Sequence, residues 1–248
     1  MGVPPVVRGL LVRGMLAGLV AGLVYALFAF LFGEPSVDRA IAFEEQLAAA
    51  ANEPPGDELV SRGVQSTLGL TVAAVVYGVA IGGIFALVYA TAQGRVGRLS
   101  PRGTSAVLAL LGFLAVYAVP FLKYPANPPA SSIDDTIGQR TGLYVIMVVL
   151  SVVLGIGAVV LRERLLAALG SWNATLVAAA AYAVLIGIAM AVLPTIAETP
   201  ADFPATVVYD FRLASFAGQL VLWAALGLVF GALVERAAQR PHAVAGRS

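Results

Sequence analysis

The chain has 248 residues, of which 60% are apolar and 12% charged, with a formal net charge of +1 and no cysteine. Soluble domains carry about a quarter charged residues, so this composition describes an integral membrane protein, and so balanced a charge offers no footing for nucleic acid. Without cysteine, neither a disulfide framework nor a thiolate metal site can form, which leaves oxygen, nitrogen and thioether donors for any metal chemistry.

A helix needs about 20 apolar residues to cross a bilayer. In chain order, runs of roughly that length fall at residues 10–32, 68–92, 105–122, 142–161, 173–193 and 213–234. They predict an all-α bundle of six transmembrane helices arranged as three helical hairpins in a single domain. The first run follows Arg8 and Arg13 as a signal peptide would, but it is too long for a signal core. It also ends in "FLFGEPSVD" with no small-x-small cleavage pattern, so it is read as a helix. Its "GMLAGLVAG" places glycines at 14, 18 and 22, a close-packing face that returns at Gly78 with Gly82 and at Gly227 with Gly231. Such faces serve a compact bundle, and they also leave a homo-oligomer open.

Residues 34–61 form an acidic loop predicted to hold a short helix from 37 to about 51, with Ser36 as its N-cap. Asp38 and Glu45 would share a face of that helix, with Glu44 beside them. Pro120 and Pro194 lie near the outer ends of the third and fifth runs and free the carbonyls of Val116 and Met190. Between the third and fourth runs, "FLKYPANPPASSIDDTIGQR" reads as a stiff extended crossing, because each proline fixes its own backbone and biases its predecessor. That crossing would hold Asn127, Asp134 and Asp135 at a pore mouth. Lys123 would pair with a carboxylate or anchor the boundary. "RERL" is read as the loop between the fourth and fifth runs, and the tail carries the single histidine, His242.

Charge sets the expected orientation. The N-terminus, "QGRVGRLSPRG", "RERL" and the tail hold ten of the fifteen basic residues and two acids, Glu163 and Glu235. The three alternate segments hold the other five basic residues and twelve acids, so both termini are expected in the cytoplasm and the acidic segments outside. Metal candidates on that outer side are Glu34, Asp38, Glu44, Glu45, Asp134, Asp135, Glu198, Asp202 and Asp210. They read either as an anionic vestibule that concentrates cations or as acids left where basic residues are excluded. Arg62, Arg140 and Arg212 each stand before an even-numbered run, as repeated parts or as snorkelling boundary residues.

No ionisable side chain falls near the centre of any run, which argues against a self-contained proton-coupled carrier. The neutral polar groups there include Tyr25, Tyr77, Tyr117, Tyr182, Ser151, Thr71 and Gln219, with Gln219 a pathway candidate. No HExxH, Walker loop or cysteine nucleophile occurs, so no enzyme is expected.

The stretches "LVRGMLAGLVAGL", "GEPSVDRAIAFEE", "ELVSRGVQSTLGL", "VPFLKYPANPP", "DTIGQRTGLY" and "ETPADFPATVVYDFRLASFAGQLVLW" resemble the CbtA family of probable cobalt transporter subunits nearly end to end. The resemblance implies uptake of Co2+ as substrate across the inner (cytoplasmic) membrane, in support of cobalamin biosynthesis. It also implies a small single-span partner, CbtB, that carries histidines, and it implies no permanently bound cofactor. Cobalt(II) favours imidazole, and carboxylates alone select poorly against magnesium and calcium, so selectivity is expected from that partner. A scaffold that stabilises another permease, or a transporter of a different divalent ion, is the competing reading.

Overall fold

The computed structural model describes residues 5–52, 60–94, 99–129, 131, 134–196, 199–200 and 202–245. All regular structure among them is helical. Helix α1 (Pro5–Phe28) passes through one π-helical turn (Ala29–Gly33) into α2 (Glu34–Ala50). A short α3 (Arg62–Val64) and a second π-turn (Gln65–Gly69) lead into α4 (Leu70–Ala92). Helix α5 (Pro101–Gly112) continues through a third π-turn (Phe113–Ala118) into α6 (Val119–Lys123), and α7 (Asp134–Val192) and α8 (Ala205–Ala245) complete the chain. Five helical stretches among the described residues are long and apolar enough to cross a membrane. Much of the exposed surface is leucine, isoleucine and valine, while Trp172 and Tyr209 stand exposed near opposite ends, which is the pattern of a lipid-facing belt bounded by aromatic residues.

Local chemistry explains several boundaries. The Ser100 hydroxyl accepts from the Gly103 amide at 3.1 Å and Pro101 takes the first turn, so "SPRG" is a helix start. Helix α7 has 59 residues, about 90 Å if straight, far beyond any bilayer core. It reverses at Gly170 (φ 71°, ψ 168°), a conformation that a side chain would strain. The two arms then lie side by side: the Ser151 and Tyr182 hydroxyls meet at 2.7 Å, and Arg162 donates to Thr175 Oγ1 at 2.9 Å and to Ser171 Oγ at 3.2 Å.

Two expectations are corrected here. "RERL" lies within the helical arm before Gly170, because nothing in it breaks a helix and the reversal waits for the glycine. Ser36 is not an N-cap: α2 follows α1 without an extended residue to start it, and Ser36 is buried and accepts from Arg39 at 3.1 Å. The predicted short helix instead spans Glu34–Ala50.

The central contact is α1 on antiparallel α4. A Cβ built at Gly14, Gly18 or Gly22 would overlap the backbone of α4 at Gly82, Gly78 or Ala74, so the absence of side chains sets the spacing. Helix α8 packs against both α1 and α5 and is the most buried of the long helices. Its Leu222, Leu226 and Phe230 join Phe85, Tyr89 and Phe113 in the main core. The α7 hairpin is the least buried and docks on the segment 113–123.

Gly18→Val forces the α1 and α4 backbones apart and is expected to cost about 2–3 kcal/mol or more by overpacking. Gly157, with nothing within 4 Å of a built Cβ, should accept alanine with a change under about 0.5 kcal/mol. Thermal unfolding of the two variants in detergent checks the contrast.

Candidate functional site

The described residues of the segments 34–66, 120–141 and 194–212 come together at one end of the bundle, here called the acidic end. Arginine holds them there. Arg62 pairs with Glu34 and, at 3.0 Å, with Asp38, which ties the start of α4's lead-in to α2. Arg140 donates to the carbonyl of Pro125, while Arg212 donates to the carbonyl of Ala126 at 3.3 Å and to Asn127 Oδ1 at 2.8 Å. The repeated arginines thus act as clamps, and two of them grip the same loop. Arg39 adds a pair to Asp210 at 2.8 Å, and Phe43 meets Phe203 edge-on with 5.1 Å between ring centres, so α2 lies across the start of α8.

The clamped loop is further pinned by Tyr124, whose hydroxyl donates to the Pro194 carbonyl at 2.8 Å. Burial pushes that phenol's pKa up, which keeps it a donor. Lys123 donates to Thr195 Oγ1 at 3.0 Å and sits 5.9 Å from the centre of the Tyr124 ring. Of the two expectations for Lys123, anchoring matches these contacts. A cavity of about 860 Å³ opens on one side of the loop, lined by Glu44, Asn127, Arg140, Tyr144 and Phe211 among others. A smaller one of about 150 Å³ lies on the other side, lined by Lys123, Arg140, Thr199 and Arg212.

Uncharged polar groups on the helices beyond the larger cavity include Tyr25, Tyr77, Tyr117, Tyr144 and Gln219. Tyr144 lines the cavity. The Tyr25 ring rests on the backbone of Gly218, where a built Cβ would come within 2.9 Å of it. Gln219 is 9% exposed and its Oε1 has no hydrogen-bond partner. The residues come from α1, α4, the third π-turn, α7 and α8. Reading the sequence as isolated runs passed over Tyr144, whose signal was its place at the start of a run facing the proline-rich crossing.

The acids expected to form a vestibule are distributed less simply. Glu34, Asp38 and Asp210 are engaged with arginine. Glu44 and Glu45 are exposed on α2, with Glu44 on the large cavity, and Asp202 is exposed. Asp134 and Asp135 open α7, although their side chains, like all of Glu198, lie outside the described residues. Among the described residues no group of three or more His, Cys, Asp or Glu could hold a metal ion. Val116 lies in the third π-turn against the core, and Met190 packs with Met147 and Tyr124 on the second arm of α7. Pro194 follows the end of that arm, so it stops the helix and does not bend it.

A helical chain with lipid-facing flanks and formal charges held toward the ends of its long helices is a multi-pass membrane protein. A family model described as "probable cobalt transporter subunit (CbtA)" matches residues 7–235, and the chain belongs to that family. Comparison with curated proteins found no match, and comparison with solved structures found none.

The ion pairs at the acidic end differ in burial, which orders their value. The Arg62 and Glu34 side chains are 27% and 14% exposed, against 48% and 44% for Arg39 and Asp210. Arg62→Gln, which strands a mostly buried carboxylate, should lower stability by about 1–3 kcal/mol. Arg39→Gln should cost about 1 kcal/mol or less, and adding Glu34→Gln to Arg62→Gln should recover part of the loss. Unfolding midpoints of the three variants decide the order.

Proposed function

We propose that the chain is the translocating membrane subunit of a Co2+ uptake system of the inner membrane, with six crossings, cytoplasmic termini and the acidic end outside. The family match over residues 7–235 carries this reading. The reversal at Gly170 supports six crossings, because each arm of α7 is long enough to span by itself. The charge asymmetry of alternate segments supports the orientation.

In this reading the ion is received in the large cavity, where Glu44 supplies charge and the acids Asp134, Asp135, Glu198 and Asp202 lie in the adjoining segments. The weight of arginine around the clamped loop limits how tightly a cation is held there. That favours a mouth that concentrates ions over a site that retains them. Selection for cobalt falls to a partner. Imidazole is the ligand that would discriminate, and this chain has one histidine, His242. The partner is a small single-span CbtB-like subunit that carries histidines, consistent with the family's description as a transporter subunit.

Cobalt uptake is measured in cells that express this chain alone, the histidine-bearing subunit alone, and both. The expected result is uptake only when both are present. Uptake by the chain alone would remove the partner's role, and none in any arrangement would favour a scaffold. With both present, Glu44→Gln should reduce uptake severalfold at limiting metal and much less at saturating metal, with protein level unchanged.

A further inference from the structure

Several basic side chains at the ends of the bundle are answered by acids: Arg39 by Asp210, Arg62 by Glu34 and Asp38, Arg102 by Glu235 and Arg162 by Glu163. Lys123 and Arg212 are not. Among the described residues their partners are neutral oxygens, Thr195 Oγ1 for the lysine and the Ala126 carbonyl with Asn127 Oδ1 for the arginine. Those contacts use only part of the donors that an ammonium and a guanidinium carry. Both side chains are half-buried, where a cation without a counterion is costly. Both line the smaller cavity, of about 150 Å³, and Arg140 and Thr199 line it with them. No acid is among its described lining residues. The cavity thus has the donors, the charge and the size for a single oxoanion, which arginine binds through paired N–H groups.

Position names the source of that oxoanion. Leu122, beside Lys123, and Leu213, beside Arg212, are 72% and 56% exposed, so the lipid-facing belt ends where the two charges begin. A cavity at that level meets the phosphates of the bilayer. We infer that the smaller cavity seats the phosphodiester of an anionic lipid headgroup between Lys123 and Arg212, with Arg140 at its wall. The positive lining favours a lipid of net negative charge over a zwitterionic one. The site does not depend on cobalt as cargo; only its assignment to the outer leaflet rests on the orientation proposed above. Tyr124, Asn127 and Arg140 line both cavities, so the same phosphate offsets positive charge that faces the proposed cation mouth.

The full-length protein in detergent is titrated with dioctanoylphosphatidylglycerol, and bound lipid is counted by native mass spectrometry, with dioctanoylphosphatidylcholine and inorganic phosphate as comparison ligands. The expected result is a single phosphatidylglycerol bound about tenfold more tightly than phosphatidylcholine, weakened about tenfold by Lys123→Gln and by Arg212→Gln. Arg39→Gln, at the same end of the bundle, should leave it unchanged. Should Arg212→Gln fail to fold because it also clamps the loop, Lys123→Gln carries the test. Equal binding of the two lipids, or binding that ignores Lys123→Gln, overturns the site and leaves two boundary residues among bulk lipid. Displacement of the lipid by inorganic phosphate at equal concentration assigns the cavity to the free anion and overturns the lipid. Glu198 stands between Ile196 and Thr199 in the sequence and lies outside the described residues. If lipid binds only after Glu198→Gln, the chain's own carboxylate fills the cavity and the lipid assignment fails.

Discussion

Two helix backbones can touch only where side chains are missing, and α1 and α4 do so at three successive turns, from Gly14 opposite Gly82 to Gly22 opposite Ala74. Lipid tails are as apolar as leucine, so no hydrophobic gain drives helices together inside a bilayer and close packing must supply the association. The glycine contact therefore sets both distance and register, since each step of four along α1 meets a step of four back along α4. Helix α8 packs on α1 so that Gly218 receives the Tyr25 ring. That seat lies within a turn of the backbone contact at Gly22.

Charge is handled by the opposite rule. Moving an ion from water into a medium of low dielectric costs on the order of 20 kcal/mol before relaxation, so the formal charges stay at the ends of the helices and are used there for architecture. Arg62, Arg140 and Arg212 each stand just before or at the start of a long apolar run; Arg62 grips α2, while Arg140 and Arg212 grip one loop of the acidic end. The clamp on Pro125, Ala126 and Asn127 is made largely to backbone carbonyls. A proline-rich segment has carbonyls to spare, because its prolines bring no amide to answer them. Proline content and flanking arginines are thus two halves of one device, which holds a loop rigid between two cavities.

Much of this was legible in the sequence because bilayers impose crude rules: long apolar runs, small-residue faces and segregated charge read directly. The glycine faces proved internal, since Gly14, Gly18 and Gly22 meet Gly82, Gly78 and Ala74. The repeated arginines were visible, but their partners were not, because a long guanidinium reaches residues 85 or 86 positions away as readily as its neighbours. Ser36 misled because "GEPS" looks like a helix start, while the strength of the preceding helix carried the chain straight through it. "RERL" misled because charge marks a membrane boundary and not a turn. The chain stayed helical through it until Gly170 allowed a positive φ.

The π-turns are the feature that run-length reading could least foresee, and they explain how one helix serves two neighbours. Helix α5 packs on α8, while α6, only six residues further on, packs on α7. A straight α-helix presents one stripe to one side, so a 23-residue crossing from 101 to 123 would have to choose. Inserting one residue into the turn rotates everything beyond it by about 100°, and Phe113–Ala118 does this one turn before Pro120. Proline cannot donate to the preceding turn, so the helix is least costly to rewind just ahead of it. Tyr117 sits within the rewound turn, where the rigid core and the α7 hairpin meet, and it is stacked on Phe113 below and Phe121 above. A residue so placed is aimed by the rewinding itself.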